Sequence, residues 1–323
     1  MLRIGFLLLL CLACGRPLAA EQFPPAAPYV AGYTDQLSYE AGDEVALHLF
    51  SSAGSLAFQV VRTGPEDETV LEQAGIAAEV HPIPDRASSD GCQWPVAHRF
   101  TIPHDWRSGY YEVLLTSEDS QRPAKGKLFF VLRAGETTTS KILLQLSTNT
   151  YNAYTNWGGH SLYSYHDRDG LQGHRVSFDR PQNSQFANWE LPFVRWAEEQ
   201  GYAIDYAVNS DLEFRPEILQ RYKLVLSVGH DEYWSSAMRD HLEAYIAQGG
   251  NVAFFSGNTC CWQVRSEDEG RALTCWKQAY NMDPLFRTDQ QHLLTTAWGH
   301  HLVERPENQL TGVGFLWGGY HRS

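Results

Sequence analysis

From Lys141 onward the chain alternates short, wholly apolar runs with amphipathic stretches of helical length, and few folds accommodate that alternation. Ile142 to Leu146 is a compact apolar run fit for a strand buried on both faces. Trp189 to Gln200 carries Leu191, Val194 and Trp196-Ala197 at helical spacing and meets a stop at Gly201. Ala203 to Val208 and Leu224 to Val228 read as further strands. Ser236 to Gln248 reads as a second helix closed by Gly249-Gly250, and Asn251 to Phe255 as the next strand. Strands alternating with helices predict a doubly wound parallel α/β sheet over residues 140–323. Gly312 to Ser323 adds no evident closing element, so the pattern anticipates further strands and a truncated product.

The first half reads differently. Val45 to Phe50, Leu56 to Val61, Tyr110 to Leu115 and Lys127 to Leu132 are short apolar or alternating runs separated by Gly, Pro, Asp and Ser clusters. Helical periodicity is scarce between them, which predicts an antiparallel, immunoglobulin-like β-sandwich over residues 24–134. Gly135 to Ser140 is a polar linker. A chain of 323 residues has room for both units.

At the N-terminus, Met1-Leu2-Arg3 is a basic start, Ile4 to Cys14 is almost wholly apolar, and Leu18-Ala19-Ala20 offers small residues before Glu21. This is the three-part layout of a signal peptide over residues 1–20, too short to span a bilayer, and it predicts a secreted or periplasmic protein. A lipid anchor at Cys14 is a weaker match, because Cys11 stands where Leu is usual. No later stretch is long and apolar enough for a transmembrane span. The net charge of −13 argues against nucleic acid and anionic lipid as partners. Beyond the signal, Cys92, Cys260, Cys261 and Cys275 remain. In an oxidising compartment Cys275 is expected to pair with Cys260 or Cys261, and no CxxC spacing supports the rival zinc site.

Ligands of open parallel sheets bind beyond the carboxyl ends of the strands. Three polar loops fall there: Ser147 to Tyr154, Gly229 to Trp234, and Ser256 to Trp262. Lying on one edge of one sheet, they are expected to converge on one pocket. His230 and Glu232 either carry chemistry, as proton carrier and hard-cation ligand or base, or serve the electrostatics of the following helix. Tyr151 and Tyr154 are either buried aromatics or hard oxygen donors of the kind that suits Fe(III). Gly257-Asn258 resembles a tight turn with a polar reader. A catalytic thiolate at Cys260 or Cys261 ranks lower than a disulfide.

Taken in order, Thr150-Tyr151-Asn152-Ala153-Tyr154, Gly158-Gly159-His160-Ser161-Leu162-Tyr163, Val176-Ser177-Phe178-Asp179-Arg180-Pro181, Gly229 to Trp234, and Gly249-Gly250-Asn251-Val252 to Gly257-Asn258 form a specific set. The set resembles the large (beta) subunit of the N,N-dimethylformamidase family, strongly over Ile142 to Val264 and more weakly through the β region. The resemblance implies a glutamine-amidotransferase or flavodoxin-like α/β unit and a mononuclear Fe(III) site held by two tyrosinates and one glutamate. Carried over by position, Glu232 is the carboxylate ligand, Tyr151 one tyrosine, and Tyr111, with Tyr110 as the alternative, the other. His230 stands beside the metal and its water. The implied reaction is hydrolysis of the C–N bond of a small amide-like substrate by Lewis-acid activation, with His230 assisting proton transfer to the leaving amine. The family also implies a small helical accessory subunit, and a homo-oligomer is a further expectation. The chain departs from the family in being shorter, in carrying an export signal, and in placing Cys260-Cys261 where an aromatic is expected. Two competing functions are a non-catalytic extracellular binding module and a metal-free hydrolase using Cys or His.

Overall fold

The computed structural model describes residues 28–119, 121–166 and 170–314. Residues 1–20, where a signal peptide is expected, lie outside the described residues, as do residues 315–323. Strands β1 (Val30–Thr34), β2 (Ser38–Tyr39), β3 (Glu44–Ser51), β4 (Ser55–Thr63) and β5 (Glu68–Ala77) precede a short helix α1 (Ala87–Asp90). β6 (His98–Thr101), β7 (Gly109–Ser117) and β8 (Lys125–Leu132) follow. They form a three-stranded sheet of order β1-β3-β6 and a five-stranded sheet of order β2-β8-β7-β4-β5. Pairing is antiparallel except for the two-residue β2 beside β8. The two sheets share one core, with Val45, Leu47 and Leu49 from one and Phe58, Val60, Val113 and Phe130 from the other.

Strand side chains alternate between faces, and this decides what joins the halves of the molecule. On β7, Tyr111, Val113 and Leu115 enter the sandwich core, while Tyr110 points the other way. Tyr110, Phe129 and Val131 pack instead with Leu144, Leu146, Phe186 and Val208 of the second half. Two buried ion pairs flank that seam: Arg62 to Glu198 at 2.8 Å, and Arg133 to Asp211 at 3.3 Å with Ser38 donating to the same carboxylate at 2.7 Å.

The second half runs through β9 (Ile142–Leu146), α2 (Thr148–Tyr154), β10 (Arg175–Ser177), α3 (Phe186–Trp189), α4 (Leu191–Glu199), β11 (Ile204–Val208), α5 (Asn209–Phe214) and β12 (Leu224–His230). It continues with β13 (Tyr233–Ser235), α6 (Ser236–Ala247), β14 (Asn251–Gly257), β15 (Trp262–Glu267), β16 (Ala272–Thr274) and α7 (Asn308–Thr311). The central sheet has order β11-β9-β12-β14 and every pairing in it is parallel. Leu144 and Leu146 of β9 face Val194 and Ala197 of α4, whereas Leu143 faces Leu212 of α5 and Met238 and Leu242 of α6. Helices therefore cover both faces, as near-continuous apolar strands require. The helix expected over 189–200 divides at Glu190, because Pro192 fits only the first turn of a helix and makes α4 start afresh. At α6 the Ser235 hydroxyl accepts from the Met238 amide at 3.2 Å and caps the helix.

A second, four-stranded sheet of order β10-β16-β15-β13 lies beyond the carboxyl edge of the central one. Sequence periodicity gave no sign of it, since three of its strands are only three residues long. The expected disulfide is absent among the described residues: Cys92, Cys260, Cys261 and Cys275 are all buried free thiols. Cys260 sits in the core under α6, while Cys275 sits in a different cluster with its sulfur near the carbonyls of Gln263 at 3.6 Å and Thr295 at 3.7 Å. Among the described residues no helix is long and apolar enough to cross a membrane.

Candidate active site

The three polar loops do meet. β9 leads straight into α2, whose start is fixed by the Asn149 amide donating to Asn209 at 2.8 Å. β12 ends at Gly229-His230, and Gly229 adopts φ 89°, in the left-handed region that favours glycine. A Cβ there would lie 2.5 Å from Cβ of Trp189, so both backbone and space demand glycine. The sharp turn that follows is nailed down by Asp231. Its buried carboxylate accepts from the Ser227 hydroxyl at 2.8 Å and the Asn209 amide at 3.4 Å. Its backbone carbonyl accepts from Cys260 N at 2.9 Å. Burial pushes the Asp231 carboxyl up to about 6, against those hydrogen bonds.

Glu232 is thereby held at the junction of all three loops. Its amide donates to Thr150 Oγ1 on α2 at 3.0 Å, and its carbonyl accepts from Trp262 N at 2.9 Å. Its carboxylate is only 5% exposed and fully engaged. Oε1 accepts from the Trp262 indole at 2.9 Å. Oε2 accepts from the Tyr154 hydroxyl at 2.9 Å and the Tyr163 hydroxyl at 2.8 Å, and the two hydroxyls are themselves 2.8 Å apart. His230 Nε2 lies 3.3 Å from the same Oε2 and 3.3 Å from the side-chain amide of Asn258. Burial opposes ionisation of Glu232, but hydrogen bonding and charge from His230, the Tyr163 hydroxyl and Lys277 outweigh it and hold the carboxyl below its ordinary value. Burial, and then the charge of Glu232, push the phenols of Tyr154 and Tyr163 well above the usual tyrosine range. Around a single carboxylate, then, stand two phenolic oxygens, an indole N–H and a half-buried imidazole.

Tyr163 arrives from the loop after α2, and Arg180 shapes that loop. The fully buried guanidinium donates to the carbonyls of Ser177 at 2.9 Å, Trp157 at 2.5 Å and Thr155 at 3.0 Å, and to the Asn152 side chain at 3.1 Å. It is surrounded by carbonyls, and burial lowers it to about 9. Gly158, at φ 85°, lets the same loop pass against α1, where a Cβ would come within 2.8 Å of Ser88 N. Lys277, 2% exposed, lies with Nζ 3.2 Å from the centre of the Tyr163 ring.

The tyrosines expected on the site are placed elsewhere. Tyr111 stacks between Trp106 and Phe130 in the sandwich core and donates to the Arg107 carbonyl at 2.6 Å. Tyr110 stacks on Phe186 at 4.0 Å between the halves. Tyr151 turns into the core beneath the sheet edge and donates to Glu190 at 2.5 Å. Glu190 is wholly buried, and burial pushes its carboxyl up to about 8. Glu232 and His230 stand together as expected, whereas the tyrosines that join them are Tyr154 and Tyr163. Tyr154 was open as a hard oxygen donor from its loop alone. Tyr163, Trp262 and Lys277 gave no signal by spacing, although Tyr163 closes the Gly158-Gly159 motif. The thiols do not suit nucleophilic chemistry: burial pushes Cys275 up to about 12 and raises Cys260 and Cys261 as well.

Residues 56–323 match the family described as N,N-dimethylformamidase beta subunit-like, C-terminal. The chain is 30% identical over 224 residues to the N,N-dimethylformamidase beta subunit of an Alcaligenes species and 29% identical over 224 residues to that of Paracoccus aminophilus. Each match covers 56% of this chain and 29% of the relative, so the chain spans less than a third of the length of these relatives. Among solved structures, a chitinase of Paenibacillus sp. str. FPU-7 aligns with TM-score 0.24 and 10% identity over 74% of this chain and 25% of that one. A β-D-glucuronidase of Dictyoglomus thermophilum aligns with TM-score 0.21 and 9% identity over 70% and 43%. Likenesses at that level carry no inference.

Proposed function

The chain belongs to the N,N-dimethylformamidase beta subunit-like, C-terminal family, and we propose that it is an amide hydrolase whose centre is Glu232 with Tyr154, Tyr163 and His230. The observation that carries this reading is the triangle of oxygens, all within 2.9 Å of one another, formed by the two hydroxyls and Glu232 Oε2. Among the described residues no group of three His, Cys, Asp or Glu side chains is arranged to hold a metal ion. The oxygen-only set of two phenols and a carboxylate instead suits a hard, highly charged cation such as Fe(III), with the phenolic protons as those the cation would replace. Tyr154, Tyr163 and Glu232 would hold it. Such an ion would supply Lewis-acid polarisation of an amide carbonyl and would acidify water.

The remaining residues do work that the chain itself defines. Trp262 donates to Oε1 and so aims Oε2 at the two phenols. Asn258 steadies the His230 ring, whose side chain is 16% exposed and can therefore exchange protons with a molecule bound beside it. His230 takes the role of proton carrier toward the leaving amine, since its ring nitrogens can each hold a proton and its Nε2 faces the oxygen cluster. Asp231 serves the turn rather than the substrate, because its oxygens are engaged inside.

In the same reading, the described residues of the span 24–134 form an immunoglobulin-like sandwich and those of the span 140–323 a doubly wound, flavodoxin-like unit. Residues 1–20 act as an export signal that places the reaction outside the cytoplasm. A small accessory subunit or a second copy of the chain completes the assembly.

The test uses the whole chain loaded with Fe(III). The reading predicts a visible ferric-tyrosinate band, and release of formate and amine from N,N-dimethylformamide or a related small amide. Both should vanish in Glu232→Gln. A protein that stays colourless and iron-free after reconstitution would sink the ferric centre.

A further inference from the structure

Lys277 lies beside the site, its charge favours ionised Glu232, and it is oddly placed. It follows β16 with backbone φ 52°, in the left-handed region, its amide held by the Thr295 carbonyl at 2.8 Å. The side chain is 2% exposed and Nζ has no hydrogen-bond partner. Its surroundings are aromatic: the ring centres of Tyr163, Tyr233 and Trp262 lie 3.2, 5.2 and 5.3 Å from Nζ. Cation–π attraction offsets part of the desolvation of a buried ammonium, and three unmade hydrogen bonds leave a deficit. An apolar residue of similar length would fill the same space without that deficit.

Two of the three rings are those that donate to Glu232, through Tyr163 Oη at 2.8 Å and Trp262 Nε1 at 2.9 Å. Building on the ferric reading of the site, we infer that Lys277 is a positioning residue of the centre. Its ammonium holds the Tyr163 and Trp262 rings against Glu232 and draws electron density from the Tyr163 oxygen through the face of the ring. A cation on that face stabilises the phenolate electrons and so raises the energy of the transition from tyrosinate to iron.

Lys277→Met, made in the full chain, separates this role from a structural one. The metal-free variant should unfold at a temperature equal to or above that of the wild type, because a buried, unpaired charge has been removed. Its iron-loaded form should show the ferric-tyrosinate band shifted to longer wavelength, and Lys277→Arg, which restores a cation, should move the band back toward the wild-type position. A lowered unfolding temperature in Lys277→Met would make the residue structural and overturn the inference. So would a wild-type band that Lys277→Met leaves in place. A wild-type protein with no band at all overturns the ferric reading first, and this inference with it.

Discussion

Two tyrosine–glutamate clusters share one short helix, and their neighbours give them opposite characters. Tyr151 and Tyr154 are three residues apart on α2. Tyr151 donates to Glu190, which is wholly buried, has one oxygen without a partner, and is pushed up to about 8 by burial. Tyr154 donates to Glu232, which is nearly as buried but whose carboxyl lies below its ordinary value. Around Glu232 stand His230, the Trp262 indole, the Tyr163 hydroxyl and the Lys277 ammonium, and all of them favour the ionised form. Residue type and burial therefore do not make a carboxylate functional. Donors and positive charge that sustain its ionised form do, and only one of these two clusters has them.

The comparison can be broken most decisively at the carboxylates. Glu232→Gln is expected to abolish iron retention and amide hydrolysis, whereas Glu190→Gln, which keeps the acceptor for Tyr151 and replaces a neutral acid with a neutral amide, should retain both. Metal analysis of the two purified variants decides it, and loss of iron in Glu190→Gln would reverse the assignment. Next in size is Arg180→Met. Losing the guanidinium strands several buried carbonyls of the loop that carries Tyr163, at a cost of about 3 kcal/mol. Chemical denaturation should show that loss, and the surviving folded protein should bind iron poorly with Tyr151 and Glu190 intact.

A smaller effect sharpens the contrast through pH. Glu190 keeps its proton up to about 8 when folded but releases it near the ordinary glutamate value of 4.5 when unfolded. The folded state thus binds more protons between those values, and stability falls as pH rises through that window, by about 1.4 kcal/mol per unit for one proton. Asp231, raised to about 6, adds the same sign at the lower end. Glu190→Gln should flatten the stability curve of the metal-free protein between about 6 and 8. Curves that stay parallel would show that Glu190 is ionised in the folded protein. Glu232 has the opposite sign, its contribution being present above its unfolded value and lost as pH falls through its lowered folded value.

Much of this architecture was legible in the sequence. The runs at 45–50, 56–61, 110–115, 127–132, 142–146, 224–228 and 251–255 all lie within strands, because apolar continuity and alternation are local properties. Meeting of the three loops also followed from sheet topology alone. The tyrosines did not follow. On a seven-residue helix between two sheets, spacing cannot say that Tyr151 turns inward to Glu190 while Tyr154 reaches Glu232. Tyr163 reaches Glu232 only because Arg180, through contacts 20 or more residues away in sequence, folds the intervening loop. The disulfide failed for a similar reason: Cys260 and Cys275 are near in sequence but belong to different clusters.

The most direct measurement is the visible spectrum of iron-loaded protein with one tyrosine removed at a time. Tyr163→Phe and Tyr154→Phe are each expected to weaken or displace the ferric-tyrosinate band, while Tyr151→Phe leaves it as in the wild type at a cost of about 1 kcal/mol in stability. A band lost in Tyr151→Phe and unchanged in Tyr154→Phe and Tyr163→Phe would place the centre at Glu190 and contradict the account.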